Sequence, residues 1–363
     1  MHRSRFSATI FLAFVLFLSP LPGGAATPVT IVDIGGIGGS RLPSAALAVS
    51  NGVAVGYGIT GNGQTNAVAS RGAGLTDIGA GLEGNAAVAV NASGVAVGQV
   101  FLSGQTQQRA VEFAGSREID LGALPGDATS VATAINGHGT VVGTSTPSSR
   151  TRYVSQPFVY EHGALHGIAQ VRALPGFLGA TATGVNDSGL VVGSLGQKAF
   201  LAGTTSSYVF DGSKVTTFAT VHGNGNSVAT AVNAAGVVVG YHSTFSFSVN
   251  APVHAYRYSG GTLTDLGTLY PGTGFVNSAA FAINSQGVAV GFSQPTNGRI
   301  PPHATAFFKG KVVDLNALLP AKSGWLLEEA EGIDDLGNVA GIGVHDGVQR
   351  GFILRTGTLF GAR

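Results

Sequence analysis

The sequence contains no cysteine. It therefore has no disulfide framework and no thiol nucleophile. Charge is scarce: Asp, Glu, Lys and Arg make up 10% of 363 residues, against roughly 25% in an average soluble domain. Nineteen basic residues face 18 acidic ones, so there is no basic surplus for a nucleic-acid partner. No G-x-S-x-G occurs, which argues against an α/β-hydrolase site. After residue 26 there is no long apolar run, so the mature chain is expected to carry no membrane span. Helical periodicity is missing too; the one weak helical candidate lies near Ala330, where Glu328, Glu329 and Glu331 cluster. What is plentiful is glycine, 57 residues, about twice the usual share. Hydrophobic residues reach 44%, enough to build a core.

Residues 1–26 read as an export signal. His2, Arg3 and Arg5 are followed by the apolar run Ile10 to Leu18, then Pro20, Pro22 and the small residues Gly23 to Ala26. That is the three-part pattern of a secretory leader. The apolar run is short for a bilayer core of about 30 Å, so cleavage is expected rather than anchoring. Residues 27–363 then form one repeat domain, extracellular or periplasmic. Without Arg3 and Arg5 it has 17 basic residues against 18 acidic.

That domain repeats itself. Segments such as AVNASGVAVG (89–98), AINGHGTVVG (134–143) and AVNAAGVVVG (231–240) recur seven times. They close on Gly56, Gly98, Gly143, Gly193, Gly240, Gly291 and Gly341, 42 to 51 residues apart. Each is followed by an aromatic or branched run, such as QPFVY (156–160) or HAYRY (254–258). A third run follows, often Asp-Leu-Gly, as at 120–122 and 265–267. VTIVDIG (29–35) is a surplus copy of the third run.

Each unit thus reads as four short strands. The first two are joined by a hairpin in which Asn accepts an N–H two residues on and Gly takes the positive φ of a G1 bulge. In the first unit the turn shortens to Asn51-Gly52, which suits a two-residue type I′ turn. Ala132, Ala134, Ala229 and Ala231 would let neighbouring sheets approach closely. Repeats of this kind predict an all-β chain folded as a seven-bladed β-propeller, with 29–35 completing the last blade. A β-solenoid is the alternative architecture. An outer-membrane barrel needs strands of about 9–11 residues, longer than these.

HAYRYSGGTLTDLGTLYPGTGFVNSAAFAINSQGVAVGFS (254–293) and DLNALLPAKSGWLLEEAEGIDDLGNVAG (314–341) resemble units of the HAF family of bacterial extracellular repeats. The resemblance runs over nearly the whole mature chain. It departs in the name-giving strand, where only His254-Ala255-Tyr256 keeps the histidine. It implies export and a repeat architecture, and no reaction.

Most chemical motifs reduce to structure. The glycine-rich run 33–40 fails G-x-G-x-x-G spacing and is followed by Pro43 rather than a helix, so it reads as a turn. His162 and His166 have the i, i+4 spacing of a zinc pair on a helix, but Gly163 and Gly167 place them in a strand connection. Asp334 and Asp335 lack the spacing of a calcium loop and align with the other hairpin turns. Asp77, Asp120, Asp265 and Asp314 recur at one repeat position, as a shared structural hydrogen bond would. Trp325, the only tryptophan, reads as packing. No catalytic residue, metal ligand or cofactor is expected.

The irregular linkers are more informative. Segments 144–156, 241–253 and 292–303 follow the same strand in different units, so they emerge on one face. They carry Arg150, Arg152, Tyr153, Tyr241, His242 and Arg299. Arginines and aromatics on loops of a rigid scaffold suit recognition. The expected function is a non-catalytic scaffold that binds a protein or glycan partner at this loop face. The alternatives are a secreted propeller enzyme acting on polysaccharide and a structural cell-surface or matrix component.

Overall fold

The computed structural model describes residues 28–39, 41–72, 74–79, 84–101, 107–115, 117–147, 154–198, 203–218, 226–243, 252–271, 276–296 and 300–361. Short branched runs separated by turn residues pair with their neighbours in sequence, giving seven four-stranded antiparallel sheets. Among the described residues the helices are one turn of α-helix, Ala169–Arg172, and two 3-10 turns, Leu315–Leu318 and Gly357–Leu359. The glutamate cluster near Ala330 lies in a strand, Trp325–Ile333.

The first strands of the sheets are Ser44–Ser50, Ala86–Val90, Asp127–Ile135, Phe177–Val185, Ser227–Val232, Val276–Ile283 and Trp325–Ile333. Each packs against the next, and the last packs against the first. The sheets are therefore the blades of a closed seven-bladed β-propeller, with first strands innermost. Blades are numbered here in that order.

A bulge explains the repeated glycines. The inner strands slip register one residue past a buried alanine, as between Ala132 and Ala134 or Ala280 and Ala282. The slip drives a carbonyl towards the second strand. A Cβ on any of the seven closing glycines would lie 1.9 to 2.1 Å from that oxygen, so no side chain fits. In four blades the ring of Phe158, Tyr208, Tyr256 or Phe352 covers the glycine opposite it. All four rings are fully buried, and each such burial contributes about 1.5–3 kcal/mol.

The first turns link the blades. Asn91 Oδ1 accepts the Ser93 and Val95 amides of its own turn, and Nδ2 donates to the Asn136 carbonyl in the next blade. Asn136, Asn186 and Asn233 repeat this step to Asn186, Asn233 and Asn284. Asn284 donates to the carbonyls of Asp334 and Phe360. Asn51 donates to the Ala92 carbonyl, and the Gly52 amide donates to the Asp334 carboxylate, which completes the circle.

The N-terminal strand Thr30–Asp33 pairs with Val348–Arg355 and supplies the outer strand of blade 7. First and last parts of the chain are thus stitched into one sheet, as the surplus repeat copy predicts. At the other end of the chain Phe360 is buried against Phe308.

Candidate functional site

Antiparallel connection gives the ring two faces. The tight turns within each blade lie on one, the hairpin face. The ends of the second and fourth strands lie on the other, the insertion face. Of the residues singled out in the linkers, Arg150, Arg152, Tyr153 and Arg299 fall outside the described residues. Tyr241 and His242 end the second strand of blade 5, Val238–Ser243, at the insertion face. Tyr241 is half-buried, and burial raises its phenol pKa. His242 is buried, with its ring 6.5 Å from that of His254, its strand partner.

His242 belongs to a rim of histidines and aspartates. In blade 5, His254 Nδ1 lies 2.7 Å from Asp265 Oδ2, and His242 Nε2 lies 3.8 Å from the same oxygen. Burial alone would raise the Asp265 pKa. The hydrogen bonds from His254 and the Gly267 amide, with the two imidazoles beside it, hold it below the usual carboxylate range. In blade 6, His303 Nδ1 lies 2.8 Å from Asp314 Oδ2, with the Tyr270 ring edge-on at 6.2 Å. In blade 7, His345 Nδ1 lies 2.8 Å from Asp33 Oδ2. Trp325 stacks on that imidazole, 4.5 Å away and tilted by 5°.

The local sequence builds each pair. Asp at the end of an outer strand accepts the amide two residues on, as Asp33 does from Gly35, Asp265 from Gly267 and Asp314 from Asn316. This turn fixes one carboxylate oxygen and aims the other at the third strand in blades 5 and 6, and at His345 on the second strand in blade 7. In blades 1 and 2 the same place holds Asn66 with Asp77 and Arg109 with Asp120. The recurring aspartates are thus structural hydrogen-bond acceptors, as their repetition predicts. His303 corrects one detail: blade 6 has the histidine too, because its third strand is His303–Phe308 and begins ahead of the Ala306-Phe307-Phe308 run. His303 was legible from its following Ala304; His345 sits on a second strand, outside the repeat position, and gave no signal.

Chemically, His242 is buried, whereas the imidazoles of His254, His303 and His345 each have Nδ1 tied to a carboxylate and the ring about a quarter exposed. Such a ring offers its outer nitrogen to a hydroxyl or amide. Among the described residues no three His, Asp or Glu side chains converge to hold a metal ion. A second cluster sits on the innermost strand of blade 7, where Glu329 and Glu331 are within hydrogen-bonding reach of each other. Burial first, and the Glu329 charge second, push the Glu331 carboxyl up to about 8.

No family model matches this chain. No curated protein matches it either. Solved structures do. The beta-propeller domain of the Trilobed protease from Pyrococcus furiosus aligns over 86% of this chain and 93% of its own, at 10% identity and a TM-score of 0.58. That domain is described as having an open velcro topology; the present ring is closed by its N-terminal strand. A puromycin-hydrolyzing peptidase from Mycobacterium tuberculosis aligns over 84% of this chain and 49% of its own, with 11% identity and a TM-score of 0.49. The Aleuria aurantia lectin in complex with alpha-methyl-L-fucoside aligns over 87% and 96%, with 13% identity and a TM-score of 0.40. At these identities the likeness to the Pyrococcus domain shows the propeller fold alone.

Proposed function

We propose that this chain is an exported, HAF-like repeat protein that acts as a non-catalytic scaffold, binding a glycan or protein partner at the insertion face. One observation carries the reading: His–Asp pairs stand on that face in three consecutive blades. The hairpin turns of the opposite face are committed to joining blades. Part-exposed imidazoles held by carboxylates, with Trp325 beside one of them, suit hydroxyl-rich or peptide ligands.

A polysaccharide-cleaving enzyme is the second reading, and the Glu329–Glu331 pair bears on it. Glycosidase carboxylates stand about 5–10 Å apart to flank a scissile bond, whereas these two lie within reach of one shared proton. That closeness does not suit a glycosidase pair. The test is a glycan and cell-surface pull-down with the mature chain, alongside variants Arg152→Ala, Tyr153→Ala and His303→Ala. Loss of captured partner in these variants is the expected result. Unchanged capture by all three, or glycan cleavage abolished by Glu331→Gln, would overturn the proposal.

A further inference from the structure

Blade 1 departs from the others on the hairpin face. Its first turn has two residues, Asn51 and Gly52, at φ 48° and 73°. The other turns run Asn-x-x-Gly or Asp-x-x-Gly, in segments one residue longer. Beside the short turn a cleft of about 600 Å³ opens between blades 1 and 2. Its lining includes Val53, Arg71, Gly72, Gly74, Thr76 and Gly94. That volume is within the range of small-molecule sites, about 300–1,000 Å³.

One cation, Arg71, lines the cleft. Arg71 is exposed and reaches towards blade 2, with Nη2 3.9 Å from where a Cβ on Gly94 would stand. Arg355, at the end of the third strand of blade 7, comes from the other side. It donates from Nη2 to the Arg71 carbonyl at 3.2 Å. Among the described residues no carboxylate lies within 4.0 Å of either guanidinium. The Asp334 carboxylate, on the same face, is held by the Gly52 amide and the Asn338 side chain. A Cβ on Gly74 would meet nothing within 4 Å, and one on Gly72 or Gly94 would meet only an arginine Nη2, at 3.8 or 3.9 Å.

We infer that this cleft binds an oxyanion group, a carboxylate, sulfate or phosphate, on a small ligand. Arg71 makes the direct contact, and Arg355 adds a second positive charge behind it. A guanidinium presents a planar fork of donors that fits two oxygens at once, and it stays charged at any physiological pH. The cleft is larger than a bare ion needs, and its glycine-lined wall leaves room for the body the anion is attached to. The site lies on the face opposite the histidine rim, so it stands or falls separately from the scaffold proposal.

The test is calorimetric titration of the mature protein with sulfate, inorganic phosphate and citrate at constant ionic strength set by chloride. Saturable binding of at least one probe is expected. Arg71→Ala, in an exposed turn, is expected to weaken it by about tenfold or more. Arg71→Lys keeps the charge without the fork and is expected to fall between. An unchanged melting temperature shows that each variant is folded, and Arg355→Lys gives a second variant that keeps the strand end. No saturable binding of any probe at millimolar concentration would overturn the inference. So would binding that is equal in the parent and both Arg71 variants.

Discussion

At the joint between blades 3 and 4, the Asn136 side-chain amide donates to the Asn186 carbonyl. At the joint between blades 7 and 1 the direction reverses: the Gly52 backbone amide donates to the Asp334 carboxylate. Both joints use the same end of the same hairpin, and in both the residue's Oδ1 pins its own turn. What differs is the neighbour. A longer turn presents a carbonyl to the preceding blade, so the bridging side chain must donate. The two-residue turn of blade 1 presents an N–H to blade 7, so the bridging side chain must accept. Asp at 334, where five other blades have Asn, matches the polarity of the seam.

This comparison can be broken most severely at the seam. Deleting residues 28–33 removes the outer strand of blade 7 and bares the edge of Val348–Arg355. A loss of about 4 kcal/mol or more is expected from the forfeited hydrogen bonds and apolar burial, with association of the exposed edges. Urea denaturation and size-exclusion chromatography would read both. Next comes a regular joint. Asn186→Asp places a buried carboxylate against the Asn233 carbonyl, where a donor is needed. The expected cost is about 3 kcal/mol in the unfolding free energy.

Glu331 sharpens the contrast through pH. Its inner-strand neighbour Gly332 packs against Ala48 and Val49 of blade 1. With its pKa pushed up to about 8, the native state keeps a proton that the unfolded chain releases at ordinary carboxyl values. Between those limits the native state binds more protons, so stability falls as pH rises to about 8. Glu331→Gln is expected to flatten that slope and raise the urea midpoint at pH 8. The smallest effect belongs to Asp334→Asn. It loses the acceptor for the Gly52 amide and faces the Asn338 amide with another donor, about 1 kcal/mol. A smaller cost here than for Asn186→Asp, in the same assay, is what opposite polarity requires.

The blade pattern was readable because each device is written in adjacent residues. Asn followed by a glycine three residues on specifies the turn, and Gly94 adopts the positive φ, 82°, that a G1 bulge requires. The surplus VTIVDIG copy announced the closing strand. The reason for the closing glycines was not readable, since it depends on a bulge in the opposing strand. Nor was the blade-to-blade circle: Asn91 and Asn136 are far apart in sequence, and only the curvature of the ring brings amide to carbonyl. The rim pairs were half legible. Asp265 and Asp314 stood out by repetition, but pairing His345 with Asp33 needs two ends of the chain to meet. The short helix Ala169–Arg172 interrupts the repeat with one buried side chain, Val171, too short a segment to show a period.

Because Thr30–Asp33 pairs with Val348–Arg355, blade 7 cannot be completed until the later segment has been made. A product truncated before Val348 has no partner for residues 30–33. Such a product would keep an unpaired strand edge, the kind of edge that invites association.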